Sequence, residues 1–371
     1  MKFRPFGLED IPDDWVVSTV SDVSKLVTRG KQPKYQESGT MVLNQKMIQN
    51  DGIHYEFAKR HDVTKSVKPE LFINQYDIVL NSTGTGTAGR SQIFLDVSVE
   101  DLFMDSHVTL IRPDLEKVNP IFMFAQLHDA RFVKYIEDVL LAGSTGQVEL
   151  SKSKVLDMPI LLPPLSVQDK FGELYESLMR KQSLLGLIND NLVALAGTIW
   201  RNFDVYESKE VRDLFDVKYG KTMPKTQLTS TGVPVFGANG MIGYTDKPVM
   251  LPDYSVVITS RGSGSGDVQL MDKGVFVTNN LLTIESKHPQ SNWATWQMLE
   301  QANIQGAVTG SAQPQLTIEN FARVVVNIPD KDTIQKFNEV SENFEQIYWA
   351  NKNEIKLLTE TRDTLLRKLI G

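Results

Sequence analysis

The sequence predicts an α+β chain built on one plan used twice. Two mixed α/β globular units are separated by two long helices that pair as an antiparallel coiled coil, and an approximate internal two-fold relates the halves. Three observations carry this. Sequence blocks recur in the same order in the two halves of the 371 residues. Two stretches show apolar residues at heptad spacing. The remainder holds short strand-like runs broken by Gly, Asn and Pro, without the regular strand–helix alternation of a doubly wound sheet.

The recurring blocks come first. "VSDVSKLVTRGKQPK" (Val20–Lys34) matches "VRDLFDVKYGKTMPK" (Val211–Lys225). "YDIVLNSTGTGTAG" (Tyr76–Gly89) matches "YSVVITSRGSGSGD" (Tyr254–Asp267). "GSTGQVELSKSKVLDMPILLPP" (Gly143–Pro164) matches "GSAQPQLTIENFARVVVNIPD" (Gly310–Asp330), and "KFGEL" at Lys170 is echoed by "KFNEV" at Lys336.

Along the chain, the first unit occupies residues 1–163. Its strand-like runs are "MVLNQKMI", "YDIVLN" and "VTLIRP", and "NPIFMFAQLHDARFVKYIED" reads as a late helix. Pro163 and Pro164 mark the start of the first long helix, 164–203. Its predicted seam is Phe171, Leu174, Leu178, Leu185, Ile188, Leu192, Leu195 and Ile199, with one step missed at Lys181. The second unit, 204–328, repeats the pattern with "VPVFG", "YSVVITS", "FVTNNLLTI" and the helix "NWATWQMLEQANI". Pro329 opens the last segment, 329–371, whose seam runs Phe337, Val340, Phe344 and Ile347, then less cleanly through Leu358 and Leu365. Asn351 and Glu354 fall on seam positions; polar seam residues cost stability but can fix register. A helix of about 36 residues would be about 54 Å long, so the pair would make a rigid spacer.

The composition, 41% hydrophobic and 23% charged, is that of an ordinary globular chain. No uninterrupted apolar run reaches the roughly 18 residues of a membrane span, and the N-terminus lacks a secretory apolar region. These point to a cytoplasmic protein without membrane contact. The absence of cysteine excludes disulfides, thiolate metal sites and cysteine nucleophiles, and the five histidines lack ligand spacing. The net charge of −7 gives no overall attraction for nucleic acid, so basic residues must be weighed locally.

Two motifs suggest enzymes and fail on context. Gly84, Gly86 and Gly89 spell G-x-G-x-x-G after an apolar run, as a dinucleotide-binding turn does. Such a turn must open a helix, whereas "SQIFLDV" continues at strand spacing, and the second copy behaves alike. The loop therefore joins two strands. Either it is a plain hairpin loop, or its glycines admit backbone N–H groups to phosphates or bases, with Ser82, Thr83, Thr85, Thr87, Arg90, Ser260, Arg261, Ser263 and Ser265 as donors. "NPIF" at Asn119 resembles an amino-methyltransferase motif, but its second proline is an isoleucine and no S-adenosylmethionine loop accompanies it. Asn-Pro opens a helix without any catalytic role.

Basic residues cluster at corresponding places. Lys25, Arg29, Lys31, Lys34 and Lys46, with Tyr35 among them, are followed by Lys59, Arg60, Lys65 and Lys68; Lys218, Lys221 and Lys225 repeat the first group. Short lysine runs are often solvated surface, but recurrence in both copies favours phosphate contact.

With "IPDDW", "GKQPK" and "GKTMPK", "VFGANGMIGYTDK", "TSRGSGSGDV", "GSAQPQL" and "LPPLSVQDKF" in this order, the whole chain resembles the specificity subunit of type I restriction-modification systems. The resemblance implies that each unit is a target-recognition domain reading one part of a bipartite DNA site. The helix pair would serve as a ruler and as the docking surface for two modification subunits. Those partners would bind S-adenosylmethionine and methylate adenine, and ATP- and Mg-dependent motor and nuclease subunits would join for restriction. This chain would hold no cofactor, no metal and no catalytic residue.

On this reading the candidate DNA contacts are Arg29, Lys31, Lys34, Gln45, Lys46, Ser82, Thr83, Thr85, Thr87 and Arg90 in the first unit. In the second they are Lys218, Lys221, Lys225, Asn239, Ser260, Arg261, Ser263 and Ser265. Residue type alone does not assign base contacts; Arg90 and Arg261 could bridge guanine N7 and O6, and Gln45 or Asn239 could pair with adenine. Half-sites on one face of B-DNA lie about 10 base pairs apart, which leaves roughly six or seven unread pairs. The chain departs from the family pattern at "PPLSVQ", where Val167 takes an acidic place. Two other readings stay open here: a self-contained adenine methyltransferase, and a coiled-coil assembly adaptor without DNA readout.

Overall fold

A computed structural model describes residues 4–96, 102–142 and 148–370. It divides into two compact units, Met1–Ser183 with Ile355–Gly371, and Leu184–Glu354. The long helices, Leu165–Arg201 and Lys331–Ile370, each contribute to both units.

The two units share their strand topology. The main sheet of the first is antiparallel in the order Ser24–Arg29, Val108–Pro113, Ile78–Asn81, Ser91–Ile93. In the second the order is Phe215–Tyr219, Leu281–Ser286, Ser255–Thr259, Val268–Met271. Each unit has a smaller sheet ending in one parallel pair: Thr40–Leu43 with Phe103–Met104, and Val233–Gly237 with Phe276–Val277. Each also has a two-stranded ribbon, Val16–Thr19 with Pro159–Leu162 and Glu207–Glu210 with Val325–Ile328.

Period-two alternation explains the layering. In the central strand, Ile78 and Leu80 face a core that includes Ile121 and Phe122 of the helix Pro120–His128. Val79 faces the opposite way, into a core with Leu43, Met104 and Leu110. Val256 and Ile258 against Val257 repeat this arrangement in the second unit. Asn119 is the helix cap: its side chain accepts the Ile121 and Phe122 N–H groups at 3.0 and 3.1 Å. Its own N–H donates to Gln168 Oε1 of the first long helix at 3.1 Å. Ser291 caps Asn292–Glu300 and donates to Asn338 Oδ1 of the second long helix at the same distance.

Within each unit the long-helix segments run antiparallel. In the first unit Phe171 and Tyr175 pack in the same cluster as Leu366 and Ile370, while Gln182 Nε2 donates to Thr359 Oγ1 at 2.6 Å. In the second Trp200 meets Phe337, and Asn351 Nδ2 donates to Asn189 Oδ1 at 2.9 Å. The seam itself differs from the predicted one. Tyr175, Gln182, Asn189 and Ala196, spaced by seven, face the partner helix or the core. Leu174, Ile188 and Leu195 are 49%, 43% and 47% exposed, as are Val340 and Ile347 at 43% and 46%. Heptad counting follows apolarity, whereas here amides that find partners hold the seam. Phe171, Phe337 and Phe344 keep their inward places, and Leu178, Leu185 and Leu192 are half-buried.

By length and composition the first long helix would suffice to cross a membrane. Polar residues interrupt its apolar ones, so no unbroken apolar run marks it in the sequence. The Asn189–Asn351 pair predicts a trade of stability for register. Replacing both with leucine should raise stability by about 1–2 kcal/mol in urea melts. It should also yield more than one oligomeric state by light scattering. Loss of stability would show that the amide pair is net stabilising.

Candidate nucleic-acid interface

The repeated blocks meet in space around one turn in each unit. In the first unit this turn is Asp105–His107. Gly30 N–H donates to the Val108 carbonyl at 3.0 Å, Lys31 N–H to Met104 at 3.3 Å, Ser82 N–H to His107 at 2.9 Å, and Asp105 N–H to Leu43 at 2.9 Å. In the second unit the turn is Thr278–Asn280. The matching bonds are Gly220 to Leu281 at 3.0 Å, Lys221 to Val277 at 3.0 Å, Ser260 to Asn280 at 2.8 Å, and Thr278 to Phe236 at 2.8 Å. A Cβ on Gly30 would run into the Asp105 carbonyl, and one on Gly220 into that of Thr278, so the Gly-Lys loops need glycine there.

The third block closes on the glycine loop. Leu150 N–H donates to the Ser82 carbonyl at 2.8 Å and Gly84 N–H to Val148 at 3.2 Å; Leu316 to Ser260 at 2.8 Å and Gly262 to Pro314 at 3.0 Å repeat these. Gly143–Gln147 of that block lie outside the described residues. Gly84 and Gly262 have φ of 96° and 98°, and Gly89 and Gly266 of 92° and 96°, so the loops turn alike.

This geometry sorts the candidate contacts. Ser82, Ser260 and Ser265 are buried and belong to the scaffold. Ser82 Oγ lies 2.6 Å from Thr109 Oγ1, Ser260 Oγ donates to the Leu316 carbonyl at 2.9 Å, and Ser265 Oγ donates to Gly262 at 2.8 Å. Their hydroxyls are consumed inside the fold, which corrects the expectation that they face a ligand. Thr87 Oγ1 likewise bonds the Thr83 carbonyl at 3.0 Å.

Several cations are partnered within the protein. Arg29 Nη2 donates to the Leu150 carbonyl at 2.6 Å and lies 3.0 Å from Glu149. Arg90 holds Gln49 Oε1 at 2.7 Å and the Gly86 carbonyl at 2.8 Å. Lys34 pairs with Asp62 at 3.2 Å, Lys218 with Glu285 at 3.7 Å, and Lys31 Nζ donates to Ser66 at 3.2 Å. Lys46, Thr85, Lys221, Lys225, Asn239, Arg261 and Ser263 are exposed. Gln45 is half-exposed, and its Oε1 accepts the Thr83 hydroxyl at 3.0 Å.

The loops also fix which residues correspond. Asn81 N–H bonds the Arg90 carbonyl, as Thr259 N–H bonds that of Asp267, both at 2.9 Å. Arg90 thus corresponds to Asp267, and Arg261 corresponds to Thr83. Two residues escaped the sequence reading, Asp105 and His107 in "DSH". Their signal was the matching "TNN" just before the corresponding strand. Thr83 Oγ1 lies 2.9 Å from His107 Nδ1. Tyr35 donates to Asp105 Oδ2 at 3.3 Å; burial, then the Asp105 charge, push the phenol up to about 12. It therefore stays a neutral donor across the physiological range. The surface offers donors and cations, and among the described residues no group of three His, Asp or Glu is placed to hold a metal.

The model of the type I restriction modification DNA specificity domain matches residues 12–191 and again 204–357. A putative type I restriction enzyme MjaX specificity subunit from Methanocaldococcus jannaschii is 21% identical over 327 residues, covering 76% of this chain and 75% of that protein. The crystal structure of a type I restriction-modification S subunit from M. genitalium aligns over 100% of this chain and 99% of its own, with TM-score 0.53 and 15% identity. That likeness concerns the fold.

Proposed function

The chain belongs to the type I restriction modification DNA specificity family, and from that premise we propose that its two units read the two halves of a bipartite DNA site. It is the DNA-recognising, non-catalytic member of its complex. The observation that carries the bipartite reading is the shared scaffold with different side chains on top. The same four backbone hydrogen bonds hold each turn, but Thr83, Gln45 and His107 meet at one, whereas the loop at the other carries Arg261, with Asn239 exposed on the small-sheet hairpin. Equal scaffolds with unequal donors fit unequal half-sites.

The long helices supply the partner surface in this reading. In the second unit Leu184, Leu187, Ile188 and Leu195 are exposed between 43% and 60% on one helix, and Val340 and Ile347 on the other. Exposed aliphatic rows of this kind mark protein interfaces. Two modification subunits would dock there, bringing S-adenosylmethionine; restriction subunits would bring ATP and Mg. The working compartment is the cytoplasm.

Co-expression with the cognate modification subunit, followed by single-molecule sequencing, tests this. Methyladenine should appear in an asymmetric bipartite motif with an unread gap of roughly six or seven pairs. A continuous or palindromic motif would overturn the two-unit reading. Calorimetry of the isolated chain with S-adenosylmethionine should be flat; binding would revive the self-contained methyltransferase.

A further inference from the structure

We propose that Met241 and Ile242 in the second unit, and Tyr55 and Phe57 in the first, insert between base pairs of the half-site each unit reads and unstack them. The inference rests on the DNA-reading function above. Met241 and Ile242 are 45% and 46% exposed, and Tyr55 and Phe57 40% and 44%. A single exposed apolar residue would signify little. These four share a topological place. They lie in or beside the link between two antiparallel strands of the small sheet, Val233–Gly237 to Gly240–Thr245 and Thr40–Leu43 to Lys59–His61.

Adjacent strand residues point to opposite faces. Met241 and Ile242 are neighbours in one strand, yet both are half-exposed, so this tip projects beyond the packed part of the sheet. The register shift between Val235 and Phe236 bends the hairpin just before the tip. A projecting two-stranded ribbon is of a size that a DNA groove admits.

The second-unit link is fastened to its recognition turn, and the first-unit link to the strand end that opens the glycine loop. A Cβ on Gly237 would lie 3.5 Å from Ile242 Cγ2 and 3.6 Å from Thr278 Oγ1, and Thr278 N–H bonds the Phe236 carbonyl at 2.8 Å. In the first unit Asn81 Nδ2 donates to the Gln45 carbonyl at 3.1 Å, and Asn44 Nδ2 to that of Phe57 at 2.8 Å. Lys221 and Arg261, exposed on the same scaffold as Met241 and Ile242, supply the charge a polyanion requires. In the second unit, an exposed apolar tip on a scaffold that also carries exposed cations suits a ligand with anionic rails and an apolar interior, which is duplex DNA. Apolar wedges of this kind unstack a step so that the distorted duplex meets more protein. Adenine must also leave the stack to be methylated, and a weakened neighbouring step lowers that barrier.

The test uses the complex of this chain with its modification subunit on a duplex carrying the mapped site. Single abasic replacements are scanned through the half-site of the second unit. An abasic position that removes a read base weakens binding. At the wedged step it removes the unstacking penalty instead and should tighten binding roughly tenfold. The double variant Met241→Ala with Ile242→Ala should bind intact duplex roughly tenfold more weakly and lose that gain. The double variant Met241→Leu with Ile242→Leu should restore both. A scan with no tightened position, or an alanine variant that keeps the gain, would overturn the proposal. So would an alanine variant that binds DNA normally but releases the modification subunit, which would make the tip a protein contact. A wild-type complex without any sequence-specific binding would overturn the DNA-reading function itself.

Discussion

Asp77→Ala should destabilise the first unit by about 3 kcal/mol, while Glu285→Ala in the second should change stability by less than about 0.5 kcal/mol. Their partners make the comparison: Arg112, which holds Asp77, and Glu285 occupy the same place in the repeated sheet. Arg112 follows Ile111, which pairs with Val27; Glu285 follows Ile284, which pairs with Val217. In the first unit the Asp77 side chain is fully buried and takes two bonds from Arg112, at 2.8 and 2.7 Å. It also accepts the Asn74 N–H at 2.7 Å, closing the turn in which Tyr76 has a φ of 65°. Alanine would leave Arg112 with only the Phe72 carbonyl at 3.0 Å and strand the Asn74 N–H. Arg112 is 23% exposed, so water reaches it in part and the loss falls at the low end of the range for buried pairs. In the second unit Lys218 and Glu285 are 73% and 74% exposed at 3.7 Å, where solvent screening leaves little to lose. Urea melts followed by hydrogen exchange in the two sheets would separate the units. Equal small effects would mean that the Asp77 pair is solvated.

Much of this architecture was legible because the chain repeats itself. "NSTGTGTAG" alone suggests a cofactor turn, but the following strand Ser91–Ile93 and the echo "TSRGSGSGD" exclude it. Asn119 likewise reads as a cap once its proline is placed at the first helical position. What stayed hidden depends on long-range hydrogen bonding. Nothing local in "NSTG" or "TSRG" says that Ser82 and Ser260 turn inward, because their partners His107, Leu150, Asn280 and Leu316 lie far along the chain. The seam failed for a related reason. Leu174 outranks its neighbours Glu173 and Tyr175 as an aliphatic heptad residue, yet Tyr175 is inside and Leu174 outside. An exposed aliphatic row carries the same apolar signal as a core, so periodicity cannot distinguish them. The correspondence of Arg261 with Thr83 needed the loop bonds, because the first loop is one residue longer between its first and last glycines.

That correspondence sets the sharpest functional expectation. Arg261→Ala should abolish discrimination in the half-site of the second unit, with a loss of about 1–3 kcal/mol at one base pair, and leave the other half-site as selective as before. The exposed Arg261 sits on a loop whose backbone is fixed at both ends, by Ser260 to Asn280 and by Gly266 to Thr259, each at 2.8 Å. A guanidinium on a fixed base can offer two parallel donors to guanine, which the single ammonium of lysine cannot. Arg261→Lys should therefore retain phosphate-level affinity but lose most of the discrimination. Thr83→Ala, at the matching place in the first unit, removes a hydroxyl already engaged with Gln45 and His107 at 3.0 and 2.9 Å. Its effect should be smaller and should appear as a shifted preference, because Gln45 is released to reorient. Methylation rates on duplexes with single substitutions in either half would read both outcomes. Equal loss in the two halves for Arg261→Ala would contradict independent reading. Uniform weakening on every sequence would place Arg261 on a phosphate, since a backbone contact carries affinity without sequence information.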